Sequence, residues 1–204
     1  MKRAVATAVL LAAFAGSARA QLTAELQPGA AWSSPLVEDS IVNAITLAPQ
    51  LAPAIGLGLG TRLGERYGIM GRVRWARSNL QRRELGDSRT VLPLTVWTGS
   101  IVLQRTMWRS VSAEVQFGAT KYAPSGTTDG TVFQDDGPLL GTLGLGVRAD
   151  RAVGERLALG VHVGYDLHQF DTQSLRSAGF TSGRLVHRVS VSAVLRWRKP
   201  DASP

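Results

Sequence analysis

Cysteine is missing from all 204 residues. Its absence excludes disulfide staples, thiolate metal sites and thiol nucleophiles. Lysine is nearly missing: of 23 basic residues only Lys2, Lys121 and Lys199 are lysines, and the rest are arginines. Aromatic residues are sparse, at 6% of the chain. Beyond residue 20 no apolar run approaches the length of a membrane helix, so none is predicted to span a bilayer. A strand crosses a bilayer with about 9–11 residues, of which only alternate ones are apolar, so a membrane barrel stays open.

The single long apolar run lies at the start. Lys2 and Arg3 precede AVATAVLLAAFAG, and SARA then places small residues at Ala18 and Ala20. This is the pattern of an export leader, with cleavage predicted after Ala20. Gln21, not Cys, follows, so no lipid anchor is expected there. Without the leader, 20 basic residues face 15 acidic ones. The expected organisation is a leader over 1–20, one domain over 21–198 and a short periplasmic tail over 199–204.

What the remaining chain has in abundance is alternation. In GERLALGVHVGYDLHQF, Leu157, Leu159, Val161, Val163, Tyr165 and Leu167 form one set, and Ala158, Gly160, His162, Gly164, Asp166 and His168 the other. A period of two means a strand with unlike faces. The pattern recurs in GRLVHRVSVSAVLRWR, VSAEVQFGATKY, YGIMGRVRWAR, LAPAIGLGLGTRL and LLGTLGLGVRAD. TAELQPGAAW and VLPLTVWTGSIVLQRT fit less cleanly. In the latter, Leu92, Leu94 and Val96 start the apolar set in one phase, whereas Trp97, Ile101 and Leu103 end it in the other. A bulge near Gly99 is the expected cause. Pro28, Pro53 and Pro93 sit within these runs, where each removes a ladder donor.

Eight strands result. Short turns are predicted at 64–67, 107–110 and 151–155, and longer polar links at 34–46, 79–90, 123–137 and 172–183. Short–long alternation with an even strand count predicts an all-β, eight-stranded, antiparallel up-and-down transmembrane barrel. The aliphatic set is assigned to lipid. The other set is mostly Gly, Ala, Ser and Thr with singly spaced charges, unlike a water-facing surface, and an eight-stranded barrel is just wide enough for side chains to fill.

The inward set predicts a lumen charge network of Glu25, Glu114, Asp150 and Asp166 with Arg62, Arg72, Arg74, Arg148, Arg188 and Arg196, joined by His168; buried charges need such partners. Lys121 and Arg77 fall in the lipid phase near the outer strand ends, where the cost of a charge fades. Tyr67, Trp108 and Trp197 are expected in an inner interfacial girdle, and Trp32, Trp75 and Tyr165 in an outer one.

On this pattern of strands, turns and leader the sequence resembles the small eight-stranded outer-membrane barrels, the OmpA-like and OmpX-like porin-family fold, over about residues 22–198. The resemblance implies a bacterial outer-membrane location and contact with lipid bilayer and lipopolysaccharide. It also implies insertion by the barrel-assembly machinery, which commonly reads a terminal aromatic; here RKPDASP follows Trp197. A monomer with no nucleic-acid partner and no cofactor is expected. With the chain ending just past strand eight, no peptidoglycan-binding domain is expected.

No catalytic motif and no metal-ligating cluster stands out. His162 and His168 share a face but lie about 20 Å apart at strand rise. His168 and Asp166 are adjacent on that face, and Ser174 or Ser177 follows in the next link. Similar barrels that modify lipid A use His, Ser and acidic residues near the outer rim, which makes a lipid A hydrolase or acyltransferase the enzymatic alternative. However, His168 points inward by phase. Asp129, Asp135 and Asp136 lie in a Gly-rich link without EF-hand spacing. Arg82, Arg83 and Arg89 form a charged link suited to lipopolysaccharide phosphates or to solvent. GLGLG lacks the Lys and helix of a phosphate loop. The remaining alternative, a soluble periplasmic lipid-binding barrel, requires the opposite assignment of faces.

Overall fold

A computed structural model describes residues 22–39, 45–84, 87–125, 137–177 and 184–198. The leader, the tail, the three carboxylates of the 126–136 link and the Ser174 side chain lie outside the described residues. The described residues form ten strands: β1 (Leu22–Ser33), β2 (Val37–Asp39), β3 (Ile45–Pro49), β4 (Ala52–Leu63), β5 (Tyr67–Glu84), β6 (Asp87–Thr106), β7 (Val111–Pro124), β8 (Leu139–Ala152), β9 (Leu157–Phe170) and β10 (Arg184–Arg198). A single turn of helix, α1 (Gln173–Ser177), follows β9.

Eight long strands close a ring. β1 pairs with β4, then β5 through β10 follow in order, and β10 returns to β1; every pairing is antiparallel. Closure leaves no unpaired edge, the condition for a sheet in lipid. The short turns close one end, and Gly64 and Gly154 turn the chain there with φ of 71° and 104°. Such values strain residues that carry a Cβ.

The burial pattern answers which face is which. Leu57, Leu59 and Leu145 are 60, 63 and 58% exposed, whereas Arg148 is fully buried. Water would not tolerate such an aliphatic wall, but hydrocarbon does. The small residues of the inward set make room for the charges: a Cβ on Gly58 would lie 2.7 Å from Glu25 Cγ and 2.6 Å from Met70 Sδ.

Three expectations need correction. Two of the predicted polar links contain strand. The 34–46 link holds β2 and the start of β3, which form a hairpin docked on β5. The 79–90 link is the tip of an arm, because β5 and β6 run for 18 and 20 residues. That is about twice what a bilayer crossing needs. Nor does β6 bulge at Gly99: its pairing with β5 is continuous from Arg105 to Leu92 and shifts only between Leu80 and Gln81. Finally, Leu92, Leu94 and Val96 do not face lipid. They are buried inside the barrel with Leu36, Val37, Leu47, Leu80, Tyr122, Phe170 and Val186.

These corrections share one cause. The surroundings of a long strand change from hydrocarbon to water partway along it. Below Trp75 and Trp97 the outward side chains of β5 and β6 are Ile69, Val73, Ile101 and Leu103. Above that pair they are Arg77, Asn79 and Thr95, and the inward ones become Leu80, Leu92 and Leu94. The apolar set changes face while the backbone stays in phase.

Candidate functional site

The lumen has three layers. At the short-turn end the charges balance. Glu25 on β1 accepts from Arg72 at 2.9 Å and Arg148 at 3.1 Å, and Arg196 lies 3.5 Å away. Glu114 on β7 pairs with Arg72 at 2.9 Å and Arg148 at 3.0 Å, and lies 3.3 Å from His162. Asp150 on β8 takes Arg196 at 3.1 Å and Arg148 at 3.5 Å. Three arginines thus share three carboxylates, contributed by five strands, and each carboxylate binds more than one guanidinium. Arginine suits this role because its planar fork can bridge two acids.

The middle layer is organised around Asp166, which pairs with Arg74 at 3.3 Å and accepts from the Gln116 amide. Arg188 donates to Ser33 Oγ at 3.0 Å, Thr98 Oγ1 at 3.3 Å and the Tyr122 hydroxyl at 3.3 Å. His168 Nε2 meets that hydroxyl at 2.7 Å. The third layer is the apolar plug, in which Phe170 stacks edge-on against Tyr122 with ring centroids 5.2 Å apart. The β2–β3 hairpin supplies Leu36, Val37 and Leu47 to this plug.

Ten of the eleven residues expected in the lumen network therefore lie inside one continuous interior, but not as a single network. Arg62 stands at their edge: it lines a small polar cavity of about 50 Å³ at the short-turn mouth with Arg109, Ser112, Asp150 and Arg196. His168 and Asp166 do not pair, since Tyr122 takes the first and Arg74 the second. Sequence reasoning put His162 on the lumen face with Asp166 but left it out of the charge network, where it meets Glu114. It missed Tyr122, Thr98 and the plug. Tyr122 follows Glu114 and Gln116 in phase, but its apolar ring disguised it.

The six expected interfacial aromatics all lie on the outside, five of them exposed and Trp75 half-buried. Trp97, across from Trp75 on β6, joins them. Tyr165 also holds the one outward histidine, its hydroxyl lying 2.5 Å from His187 Nδ1. On the arm, Arg82 stands opposite Arg89 and pairs with Glu84 at 2.8 Å, while Arg83 points away and is exposed. Elsewhere at the rim Arg184 pairs with Glu38. Beyond the wall, the Arg176 guanidinium bonds the Asp171 carboxylate and holds it below its usual range.

Among the described residues no His, Asp or Glu cluster is arranged to hold a metal ion, and no helix is long and apolar enough to cross a membrane. No family model matches the sequence. No curated protein is similar to it by sequence. Solved structures are more informative. OprG of Pseudomonas aeruginosa, described as an outer membrane protein, superposes with a TM-score of 0.61 at 11% identity, over 89% of this chain and 97% of its own. The outer membrane protein AlkL, solved in lipid bilayers, gives 0.59 at 12% identity, over 93% and 94%.

The fold is that of a bacterial outer-membrane β-barrel. At such low identity the likeness reaches the backbone and no further, so the chemistry must be read from this chain's own side chains.

Proposed function

We propose that this outer-membrane barrel is a closed, non-enzymatic envelope protein, structural or surface-interacting in the manner of OmpA- and OmpX-like barrels. The supporting observation is the stacking of two occupied layers across one lumen. Arg148 and Glu25 close it below, and Leu94, Tyr122 and Phe170 close it above; each is buried to within a few per cent. An eight-stranded ring has no spare width once such side chains are in place. Planar-bilayer recording of the purified protein is expected to show no large steady conductance. A stable wide channel would overturn this reading.

The long-loop end supports the surface role. In the orientation common to these barrels it faces away from the cell. Its β5–β6 arm presents Arg82, Arg83 and Arg89, suited to phosphates of lipopolysaccharide. The absence of catalysis is supported by the same layering. His168 is buried beneath the plug and bonded to Tyr122, and Asp166 is engaged by Arg74. Lipid A from a deletion strain is expected to match wild type by mass spectrometry. A mass change restored by the wild-type gene and not by His168→Ala would establish the enzyme instead. Insertion as a monomer through the barrel-assembly machinery, with Trp197 near the end of the last strand, completes the reading.

A further inference from the structure

The two polar layers of the lumen differ in charge. Below, Arg72, Arg148 and Arg196 are matched by Glu25, Glu114 and Asp150. Among the described residues the middle layer sets Arg74 and Arg188 against one carboxylate, Asp166, which pairs with Arg74. Arg188 lies directly across from Asp166 in the β9–β10 register, yet Asp166 is turned to Arg74 and Gln116, and the three partners of Arg188 are all neutral hydroxyls. Both arginines are more than nine-tenths buried, and they repel each other across the lumen. Arginine does not shed its proton. A buried cation without a counter-charge is strongly disfavoured.

Hydrogen-bond direction sharpens the imbalance. Arg188 donates to Thr98, Thr98 lies 3.1 Å from Thr120, Thr120 lies 2.8 Å from Thr142, and Thr142 donates to the Leu140 carbonyl at 3.5 Å. Thr142 gives its one proton to that carbonyl, so Thr120 donates to Thr142 and Thr98 to Thr120, and the ladder offers Arg188 a lone pair but no charge. The Tyr122 hydroxyl accepts from Arg188 and lies against His168 Nε2. Arg74 Nη2 is buried without an acceptor. The layer therefore has one positive charge and one buried guanidinium donor in excess.

We propose that the middle layer is a binding site for one small monoanion, a halide or a carboxylate, held between Arg74 and Arg188. The lower layer, by contrast, is balanced three to three in charge. With the plug above and the charge cluster below, the anion enters as the barrel closes and exchanges slowly.

The test is to refold the full mature chain from denaturant in sodium bromide and measure anomalous scattering from the crystals. The expected result is a bromide peak within hydrogen-bond distance of both Arg74 and Arg188. At constant ionic strength, the melting temperature is expected to rise with chloride and not with gluconate, which is too large for the site. Arg188→Met should remove the peak and weaken the chloride effect by about tenfold or more, as loss of a charge-assisted contact implies. Its fold is checked by a heat-modifiable band on cold SDS gels. Should that variant fail to fold, Arg74→Met and the wild-type map decide the matter. Refolding with bromide and excess acetate separates the two sources: displacement of the peak identifies a carboxylate site, and its persistence a halide site. Water alone between the arginines at saturating bromide, with equal melting in chloride and gluconate, would overturn the proposal, as would a peak that survives Arg188→Met.

Discussion

The two ends of this barrel solve opposite problems with the same eight strands. At the short-turn end the outside is aliphatic and the inside is charged. At the long-loop end, where β5 and β6 rise beyond Trp75 and Trp97, the outside turns polar and the inside is a packed apolar core. The lower half is inside out by the standard of soluble proteins, and the upper half is not. Which residues must be apolar is set by the medium outside the wall, hydrocarbon in one half and water in the other. The aromatic residues stand where the two media meet, the position their amphipathic rings favour. The lower interior is held by ion pairs that are costly to half-remove, and the upper one by packing.

The largest effect is expected from breaking the lower half. Glu25 touches Arg72, Arg148 and Arg196, all almost fully buried. Glu25→Ala leaves three guanidinium groups short of an acceptor and should cost about 3–5 kcal/mol, the penalty for stripping one partner from a buried pair. Denaturant unfolding in detergent or lipid reads this directly. A loss below about 1 kcal/mol would mean that water and Glu114 already satisfy the arginines.

In the upper half the corresponding break is a cavity. Leu94 is fully buried in the plug that also holds Leu36, Leu80 and Phe170. Leu94→Ala should cost about 2–5 kcal/mol, the range for a soluble core. It should also loosen the β2–β3 hairpin, seen as faster proteolysis between β1 and β4. An unchanged midpoint would show that the plug packs without contributing to stability, and that the barrel wall alone sets the unfolding barrier.

The outer surface gives a smaller but cleaner contrast. Leu59 faces outward on β4 at a level paired with Ala24 and Gly71. Leu59→Arg should cost about 2–4 kcal/mol near the bilayer midplane. Asn79→Arg, outward on β5 but above Trp75, should stay within about 0.5 kcal/mol as a surface change in water. Equal costs at the two positions would remove the change of medium along β5.

That change of medium also sets how far the sequence can be read. The closed barrel, the outward aliphatic set, the short turns at Gly64 and Gly154 and the inward charges of β1, β5, β7, β8, β9 and β10 follow from period-two alternation, because each strand crosses hydrocarbon once. The plug does not. Leu92, Leu94 and Val96 obey the same alternation with the apolar sign reversed, and under a rule in which apolar means outward they look like a register slip at Gly99. β2 and β3 are too short for a periodic signal, and the pairing of β3 with β5 is a long-range contact that local pattern does not carry. Within the lumen, phase says which residues point inward, but not which acid takes which base. That choice depends on strand stagger, which placed Asp166 on Arg74 rather than beside His168, and left Arg62 at the mouth.

The smallest effect is predicted outside both halves, at the exposed Asp171–Arg176 pair that spans β9 and α1. The hydrogen bond from Arg176 lowers the Asp171 pKa, so the stabilisation it gives is present above the unfolded carboxylate's ordinary range and is lost as pH falls through the lower folded value. Both groups are at the surface, where solvent and salt screen the pair. Asp171→Asn should therefore leave the unfolding midpoint unchanged at neutral pH and flatten only a shallow acid limb. In Glu25→Ala, by contrast, the loss persists across the neutral range. A neutral-pH loss in Asp171→Asn as large as that of Glu25→Ala would mean that the rim, and not the filled lumen, holds the barrel closed.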